Sequence, residues 1–204
     1  MNLPNKLTLG RIIVIPVFVL FIVYNFFENA NISRTIAAAI FVAASVTDYF
    51  DGHIARSRNL ITDFGKFMDP LADKVMIIGA MFAICYSGYI FDYASVGFES
   101  VIPANVIRNL FFWTAIVVVF RELAVTSMRL VVVSSNGAVI AASMLGKIKT
   151  FTQIIAVGVV IFEPVFKFTY GVLSFAAICA MLIFTVISGV DYIKTYWKFI
   201  NTNK

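Results

Sequence analysis

The stretch VFKFTYGVLSFAAICAMLIFTVISGVDYI, residues 165–193, decides the fold of this chain. Its only charged residues are Lys167 and Asp191, and each lies close to one end of the stretch. A helix that crosses a bilayer needs about 20 mostly apolar residues. The stretch is long enough and apolar enough, and it therefore predicts a transmembrane helix.

Five further windows share this low charge, and they lie at residues 12–27, 32–47, 75–91, 109–133 and 151–162. Six helices of about 20 residues use about 120 residues, which leaves only short connectors in a chain of 204. Charged residues make up 13% of the chain, whereas soluble domains contain about 25%. We therefore predict a single domain over residues 1–204, an all-α integral membrane protein with six transmembrane helices, and we exclude most soluble enzymes.

Lysines and arginines indicate the orientation of these helices, because they are enriched in cytoplasmic loops. With six crossings both termini lie on one side, and that side holds 13 of the 16 basic residues. Arg34, Arg108 and Lys167 lie on the other side. We predict that both termini are cytoplasmic, that the basic face attracts anionic headgroups, and that nucleic acid is not a partner.

Two local features predict helix ends. Glu163-Pro164 is typical of a tight reversal between the last two helices. The window at 151–162 is short, so we expect its helix to begin earlier, near Ser143.

The apolar run that follows Lys6 and Arg11 is similar to a signal peptide, but no convincing cleavage site follows it, and we predict that the segment is retained.

Four aspartates crowd around the predicted second and third helices: Asp48, Asp51, Asp69 and Asp73. The first two are three residues apart and the last two are four apart, so each pair shares a helical face. Carboxylates close to hydrocarbon are costly and normally indicate function. Oxygen ligands favour hard cations such as Mg²⁺, Mn²⁺ or Ca²⁺, so the cluster predicts a metal site.

The alternative is a solvated loop in which these acids pair with neighbouring lysines and arginines. Small residues favour a binding site instead, because Gly52, Ala55 and Gly65 leave backbone exposed where a ligand can approach. Arg56 lies one turn beyond Gly52, on the same side as the acids, and its guanidinium suits a phosphate.

The string Asp48-x-x-Asp51-Gly52-x-x-Ala55-Arg56, followed after eight residues by Gly65-x-x-x-Asp69-x-x-x-Asp73, resembles the signature of the CDP-alcohol phosphotransferases. The resemblance implies a six-helix membrane fold that forms a homodimer. It also implies cleavage of a CDP-linked lipid or alcohol with release of CMP, assisted by two divalent cations, Mg²⁺ or Mn²⁺.

The same resemblance assigns roles within residues 48–73, the expected metal and nucleotide site. It makes Asp48, Asp51, Asp69 and Asp73 metal ligands, and Asp73 is also the candidate catalytic base for the acceptor hydroxyl. Gly52, Ala55, Arg56 and Gly65 are expected around the cytidine diphosphate. His53 stands at an unspecified position of the signature, and we interpret it as a bystander.

A second cluster of charge lies in the apolar window 109–133. At about 100° per residue, Glu122 and Arg129 share a helical face, and Arg121 and Arg129 are close enough in angle to border one cavity. An internal ion pair between Glu122 and an arginine is the alternative. We favour the interpretation that these cations form a cluster that binds an anionic substrate.

The acceptor site is expected to extend from about residue 121 to 149 and to include Lys147 and Lys149. These lysines are two residues apart, so on a helix they point about 200° apart and are not expected to face one pocket. We expect Lys147 to bind phosphate, because Gly146 precedes it, and Lys149 to extend towards the headgroups.

Three strings look like those of bacterial phosphatidylglycerophosphate synthases: Pro4-Asn5-x-Leu7-Thr8-x-x-Arg11, Arg121-Glu122-Leu123-x-Val125-Thr126-x-x-Arg129 and Gly146-Lys147-x-Lys149-Thr150-x-x-Gln153. The resemblance implies that CDP-diacylglycerol and sn-glycerol 3-phosphate give phosphatidylglycerophosphate and CMP. It also implies that Asn5 and Thr8 touch the nucleotide; simple helix capping is the alternative.

Other functions remain open at this point. A sister transferase would use another acceptor, either phosphatidylglycerol or an inositol phosphate. A cation transporter would use the four acids as an ion pathway, but the acids cluster at one predicted membrane face and form no path across. We therefore expect an enzyme whose active site faces the cytoplasm.

Overall fold

The computed structural model describes residues 3–57, 62–136, 144–166 and 169–197. Within these ranges the side chains of residues 3–4, 49–57, 63, 66 and 133–136 are not described. The predicted cytidine-diphosphate residues Gly52, Ala55 and Arg56, and the side chain of the predicted metal ligand Asp51, therefore lie outside the described part of the site.

The described residues form long helices and no strand, which confirms the all-α prediction. The helices are α1 (Leu3–Val23), α2 (Ala30–Ser57), α3 (Asp63–Tyr86), α4 (Ala104–Asn136), α5 (Met144–Phe166) and α6 (Val172–Tyr196), with a short 3₁₀ turn at Ala94–Val96. The predicted start of the fifth helix near Ser143 agrees with the first residue of α5.

Among the residues that the structure describes, four helical segments are long and apolar enough to cross a membrane: Asn5–Val23, Ala30–Asp48, Met144–Phe166 and Val172–Tyr196. The chain is therefore a membrane protein. Helices α3 and α4 carry charged residues along their lengths, including Asp69 and Asp73 on α3 and Arg121 and Glu122 on α4. Six crossings and cytoplasmic termini remain predictions.

The helices pack as two connected groups around one apolar core. Helix α1 packs against α2 and α3, α6 packs against α4 and α5, and α2 also contacts α5. Phe18, Phe41, Phe111 and Ile161 are buried in this core, one each from α1, α2, α4 and α5. Along α2, Phe41 lies about two turns from Arg34 on one side and about two turns from Asp48 on the other, so apolar packing separates the two ends of the bundle.

Small residues on α3 pack inside the helix bundle. Ala80 and Ala83 are buried in the core, and a Cβ on Gly79 would lie 3.9 Å from the Cγ2 atom of Ile15 on α1. Their size allows α1 and α3 to approach each other.

The sequence predicted a reversal at Glu163-Pro164, and this prediction was wrong. Both residues are buried inside α5, which continues to Phe166. The chain turns at Tyr170 and Gly171, which have positive φ angles of 52° and 80°. Glu163 stays in the helix because its carboxylate oxygens accept hydrogen bonds from the backbone N–H groups of Leu173 (3.2 Å) and Ser174 (2.7 Å) at the start of α6.

A buried arginine joins α2 to the connector that follows α3. Arg34 is fully buried, and its Nη2 atom donates to the carbonyl oxygens of Tyr89 (2.5 Å), Ile90 (3.2 Å) and Asp92 (3.3 Å). The Tyr89 hydroxyl donates to the backbone carbonyl of Phe21 on α1. These bonds fix the end of the bundle that lies away from the four aspartates.

Candidate active site

A cavity of about 940 Å³ opens where α2 ends and where α3 and α5 begin. Five helices, α2 to α6, contribute side chains to its wall. The charged residues and the one tyrosine among them are Asp48, Asp69, Asp73, Lys74, Arg121, Glu122, Arg129, Lys147, Lys149 and Tyr192. The cavity thus brings together the two clusters that lie about 50 residues apart in the sequence.

The acidic half of the cavity is held by α1. Arg11 is buried, with 3% of its surface exposed, and its Nη1 atom contacts Oδ1 of Asp48 and lies 3.3 Å from Oδ1 of Asp73. The Thr8 hydroxyl donates to Oδ1 of Asp69 at 2.8 Å. A single helix therefore orients three carboxylates that come from two other helices.

Asn5, Thr8 and Arg11 recur every three residues, so they follow one face of α1. Asn5 donates through Nδ2 to the Thr62 hydroxyl (3.0 Å), and that hydroxyl accepts the backbone N–H of Gly65 (3.0 Å) as the cap of α3. Asn5 and Thr8 thus support the start of α3 and one of its aspartates. Their predicted contact with a nucleotide stays a prediction.

Gly65 allows this close approach. A Cβ at this position would lie 3.1 Å from Oδ1 of Asn5 and 3.3 Å from Oγ1 of Thr62, both tighter than ordinary van der Waals contact. The absence of a side chain at Gly65 therefore leaves room for Asn5 of α1 beside the start of α3.

The basic half of the cavity is organised around Glu122. Its Oε1 atom lies 3.2 Å from Nη1 of Arg121 and also contacts Nζ of Lys149. Lys149 is buried, with 5% of its surface exposed. The ion pair that we considered as an alternative is therefore present, and it lies within the cavity wall beside the cations predicted to bind an acceptor.

Both lysines of α5 line the cavity, contrary to the expectation that only one would face it. Lys149 is buried against Glu122, whereas Lys147 is exposed. The angular argument was wrong here because the cavity lies at the first turns of α5 and lysine stems are long enough to reach its rim from either side. The expectation that Lys149 extends towards headgroups was also wrong, since its ammonium group is engaged inside.

Three residues were given no individual role from the sequence: Lys74 and Tyr192 in the cavity, and Gln153 in an adjoining recess. Lys74 donates to the Thr126 hydroxyl, Tyr192 accepts a hydrogen bond from Nε of Arg129 at 3.1 Å, and Gln153 lines a recess that continues inward beside Asp48 and Asp73. The side chain of Gln153 is buried, and its Nε2 atom has no hydrogen-bond partner within the described part of the chain. Polar residues in apolar spans are the signal that could have found them.

The described carboxylates suit a hard divalent cation. Asp48, Asp69 and Asp73 offer only oxygen donors to one cavity, and the side chains of Asp48 and Asp73 are 33% and 45% exposed. Magnesium is bound through such carboxylates together with water and phosphate oxygens. Among the residues with described side chains no complete metal cluster is formed, and the fourth predicted ligand, Asp51, falls outside that set.

Known proteins match this chain over nearly all of its length. The family model for CDP-alcohol phosphatidyltransferase matches residues 1–190. The CDP-diacylglycerol–glycerol-3-phosphate 3-phosphatidyltransferase of Bacillus subtilis is 38% identical over 99% of this chain and 98% of its own length. The enzyme of the same name from Rickettsia felis is 32% identical over 97% of both chains.

A third relative, described as a probable phosphatidylglycerophosphate synthase of Mycobacterium tuberculosis, is 36% identical over 94% of this chain and 80% of its own length. A family match over nearly all residues, together with relatives above 30% identity over almost the full length, settles the classification. This chain belongs to the CDP-alcohol phosphatidyltransferase family.

Proposed function

We propose that this enzyme transfers the phosphatidyl group of CDP-diacylglycerol to sn-glycerol 3-phosphate, giving phosphatidylglycerophosphate and CMP. The observation that carries the proposal is one cavity in which three carboxylates face a cluster of arginines and lysines. The acidic half suits a metal-bound diphosphate, and the basic half suits a phosphorylated acceptor. Two relatives that match nearly their full length carry this activity in their names.

The donor binds in the acidic half. Asp48, Asp51, Asp69 and Asp73 would hold two divalent cations, Mg²⁺ or Mn²⁺, which when bound neutralise charge on the diphosphate and on the leaving CMP. Gly52, Ala55, Arg56 and Gly65 surround the cytidine diphosphate, and Asn5 and Thr8 lie at its edge. Arg11 and Thr8 hold Asp48, Asp69 and Asp73 in the wall of this cavity.

The acceptor binds in the basic half through the phosphate of sn-glycerol 3-phosphate. Arg121, Arg129, Lys147 and Lys149 hold that phosphate, and a free hydroxyl of the glycerol is directed to Asp73. The hydroxyl oxygen bonds to the phosphorus that carries the diacylglycerol, the bond from that phosphorus to the CMP oxygen breaks, and the hydroxyl proton passes to Asp73. An acceptor without a phosphate would leave most of the positive charge in the basic half uncompensated, since Glu122 supplies only one carboxylate to it.

We further propose that the chain crosses a bacterial inner membrane six times with both termini and the cavity on the cytoplasmic side, and that it forms a homodimer. The excess of lysine and arginine on the side of the cavity supports this orientation. Apolar residues Val42, Val46 and Phe151 stand beside the charged groups in the cavity wall. They give acyl chains a place next to the site while the headgroup reaches the carboxylates.

The direct test uses the purified chain in detergent with CDP-diacylglycerol, radiolabelled sn-glycerol 3-phosphate and Mg²⁺. We expect label to enter the lipid phase with stoichiometric release of CMP, and we expect a metal chelator to abolish it. Absence of lipid label from a folded, monodisperse preparation supplied with Mg²⁺ or Mn²⁺ would overturn the proposed function.

Competition between acceptors tests the choice of substrate within the family. Unlabelled sn-glycerol 3-phosphate should displace the labelled acceptor, whereas phosphatidylglycerol and inositol phosphate should compete poorly. If either of these is preferred, the enzyme is a sister transferase. Metal flux in proteoliposomes without any nucleotide would instead support the transporter alternative.

A further inference from the structure

Helix α6 contributes two polar contacts to the basic half of the cavity. Nη2 of Arg121 donates to the Ser188 hydroxyl at 2.6 Å, and Nε of Arg129 donates to the Tyr192 hydroxyl at 3.1 Å. The guanidinium of Arg129 also lies over the Tyr192 ring, with its Cζ atom 5.7 Å from the ring centroid. Each of the two arginines predicted to bind the acceptor phosphate is thus held by α6.

These contacts come from one face of the helix. Ser188 and Tyr192 are four residues apart, so they lie one above the other, and both are buried, with 1% and 4% of their surface exposed. Gly189 completes this face, because a Cβ there would lie 3.2 Å from Cγ of Arg121. We call Ser188, Gly189 and Tyr192 the α6 seat.

The chemistry of the seat suits positioning of the arginines. Ser188 and Tyr192 are neutral, so they fix the direction of each guanidinium without cancelling its charge. A guanidinium carries five N–H donors, and a bond to α6 uses only part of this set. Glu122 constrains Arg121 from a second direction at 3.2 Å, so Arg121 is held from both α4 and α6.

We propose that the α6 seat positions Arg121 and Arg129 for the phosphate of the acceptor, and so determines how tightly this enzyme binds sn-glycerol 3-phosphate. The inference rests on the proposed function for the identity of the acceptor. It assigns a role to the last helix, whose only cavity-lining residue, within the described chain, is Tyr192. A held arginine loses less side-chain freedom when it binds its ligand, and binding is correspondingly tighter.

The test compares Tyr192→Phe and Ser188→Ala with the wild-type enzyme. Each variant removes one hydroxyl that accepts a hydrogen bond from a charged group, and Tyr192→Phe keeps the ring. We expect KM for sn-glycerol 3-phosphate to rise about tenfold in each, while KM for CDP-diacylglycerol stays within twofold. Ser188→Thr retains a hydroxyl and should recover most of the loss.

Ser174→Ala provides the matched control on the same helix. Ser174 is fully buried like Ser188, but its hydroxyl has no hydrogen-bond partner among the side chains that are described, and it lies about 20 Å along α6 from the seat. This variant should change neither KM. Gly189→Ala should resemble Ser188→Ala, because the added methyl group must displace the side chain of Arg121.

Direct binding separates this inference from the proposed function. The dissociation constant of sn-glycerol 3-phosphate is measured by isothermal titration calorimetry on the same proteins, so the seat is tested without turnover. A wild-type enzyme that transfers no label defeats the proposed function, whatever the variants bind. Acceptor constants within twofold of wild type in both hydroxyl variants defeat the seat, and so does an equal rise in both KM values together with a lowered melting temperature.

Discussion

Asp73 contacts a buried arginine and is also partly exposed. Its Oδ1 atom lies 3.3 Å from the buried Arg11, and 45% of its side chain remains exposed to the cavity. Arg11 therefore fixes the position of the carboxylate, and the cavity leaves it accessible. A group that accepts a proton from a bound substrate requires both.

We expect Asp73→Asn to lower kcat at least about 100-fold, because a positioned base contributes about that much or more. Binding of CDP-diacylglycerol should be largely kept, since Asp48 and Asp69 still face the cavity. Turnover is measured by CMP release and donor binding by equilibrium dialysis. Asp92→Asn at the other end of the bundle is the control, and near-normal turnover of Asp73→Asn would remove Asp73 from the role of base.

Arg121 is the residue for which a binding role and an ion-pair role must be separated. We expect Arg121→Ala to raise KM for sn-glycerol 3-phosphate about tenfold or more, with little change in KM for CDP-diacylglycerol. Steady-state kinetics with each substrate varied in turn measures this difference. Arg108→Ala, an exposed arginine near the other end of α4, is the matched control. An unchanged acceptor KM would favour the ion-pair interpretation.

At this scale the sequence predicted the residues better than their contacts. The spacing of Asp48, Asp69 and Asp73 predicted that they would meet, and they line one cavity. It could not predict that Arg11 and Thr8 orient them, because contacts between α1 and α3 depend on how the helices pack. Ser188 and Tyr192 were missed for the same reason, since one hydroxyl in an apolar span does not reveal its partner.

At the scale of helices, two buried side chains hold helix ends far from the cavity. Glu163 accepts the first N–H groups of α6, and Arg34 donates to three carbonyl groups after α3. These bonds satisfy polar backbone groups at or near helix ends, where no partner within the same helix is available.

We expect Arg34→Met to lower the free energy of unfolding by about 3 kcal/mol, because buried carbonyl groups lose a charged donor. Thermal unfolding in detergent measures the loss, and both KM values should be unchanged in the folded fraction because Arg34 lies at the opposite end from the cavity. Arg108→Met removes an exposed arginine and should leave the melting temperature unchanged. Equal melting temperatures for the two variants would contradict the role of Arg34.

The helices themselves follow well from the sequence, but one end does not. Apolar length placed the start of α5 within a residue of Met144. Glu163-Pro164 was misread as a turn because a buried glutamate and a proline both disfavour the middle of a helix in isolation. Here α6 supplies the N–H groups that compensate the glutamate, and Pro164 is tolerated inside a packed membrane helix.

At the scale of the whole molecule, the orientation in the membrane can be tested directly. In a background with Cys85→Ala and Cys179→Ala, we expect Ser95→Cys to react with a membrane-impermeant maleimide in intact cells. Asn203→Cys should react only after permeabilisation, because an even number of crossings leaves both termini on one side and the excess of lysine and arginine predicts that this side is cytoplasmic. Gel-shift labelling measures both, and external labelling of position 203 would reverse the predicted topology.

The apolar layer around Phe18, Phe41, Phe111 and Ile161 has a consequence for the cell that makes this enzyme. A charged, water-filled cavity shortens the distance over which a membrane insulates. The packed layer and the contacts of the buried Arg34 lie between this cavity and the opposite end of the bundle. The proposed orientation therefore predicts that the enzyme handles charged substrates at one face without leaking ions across the membrane.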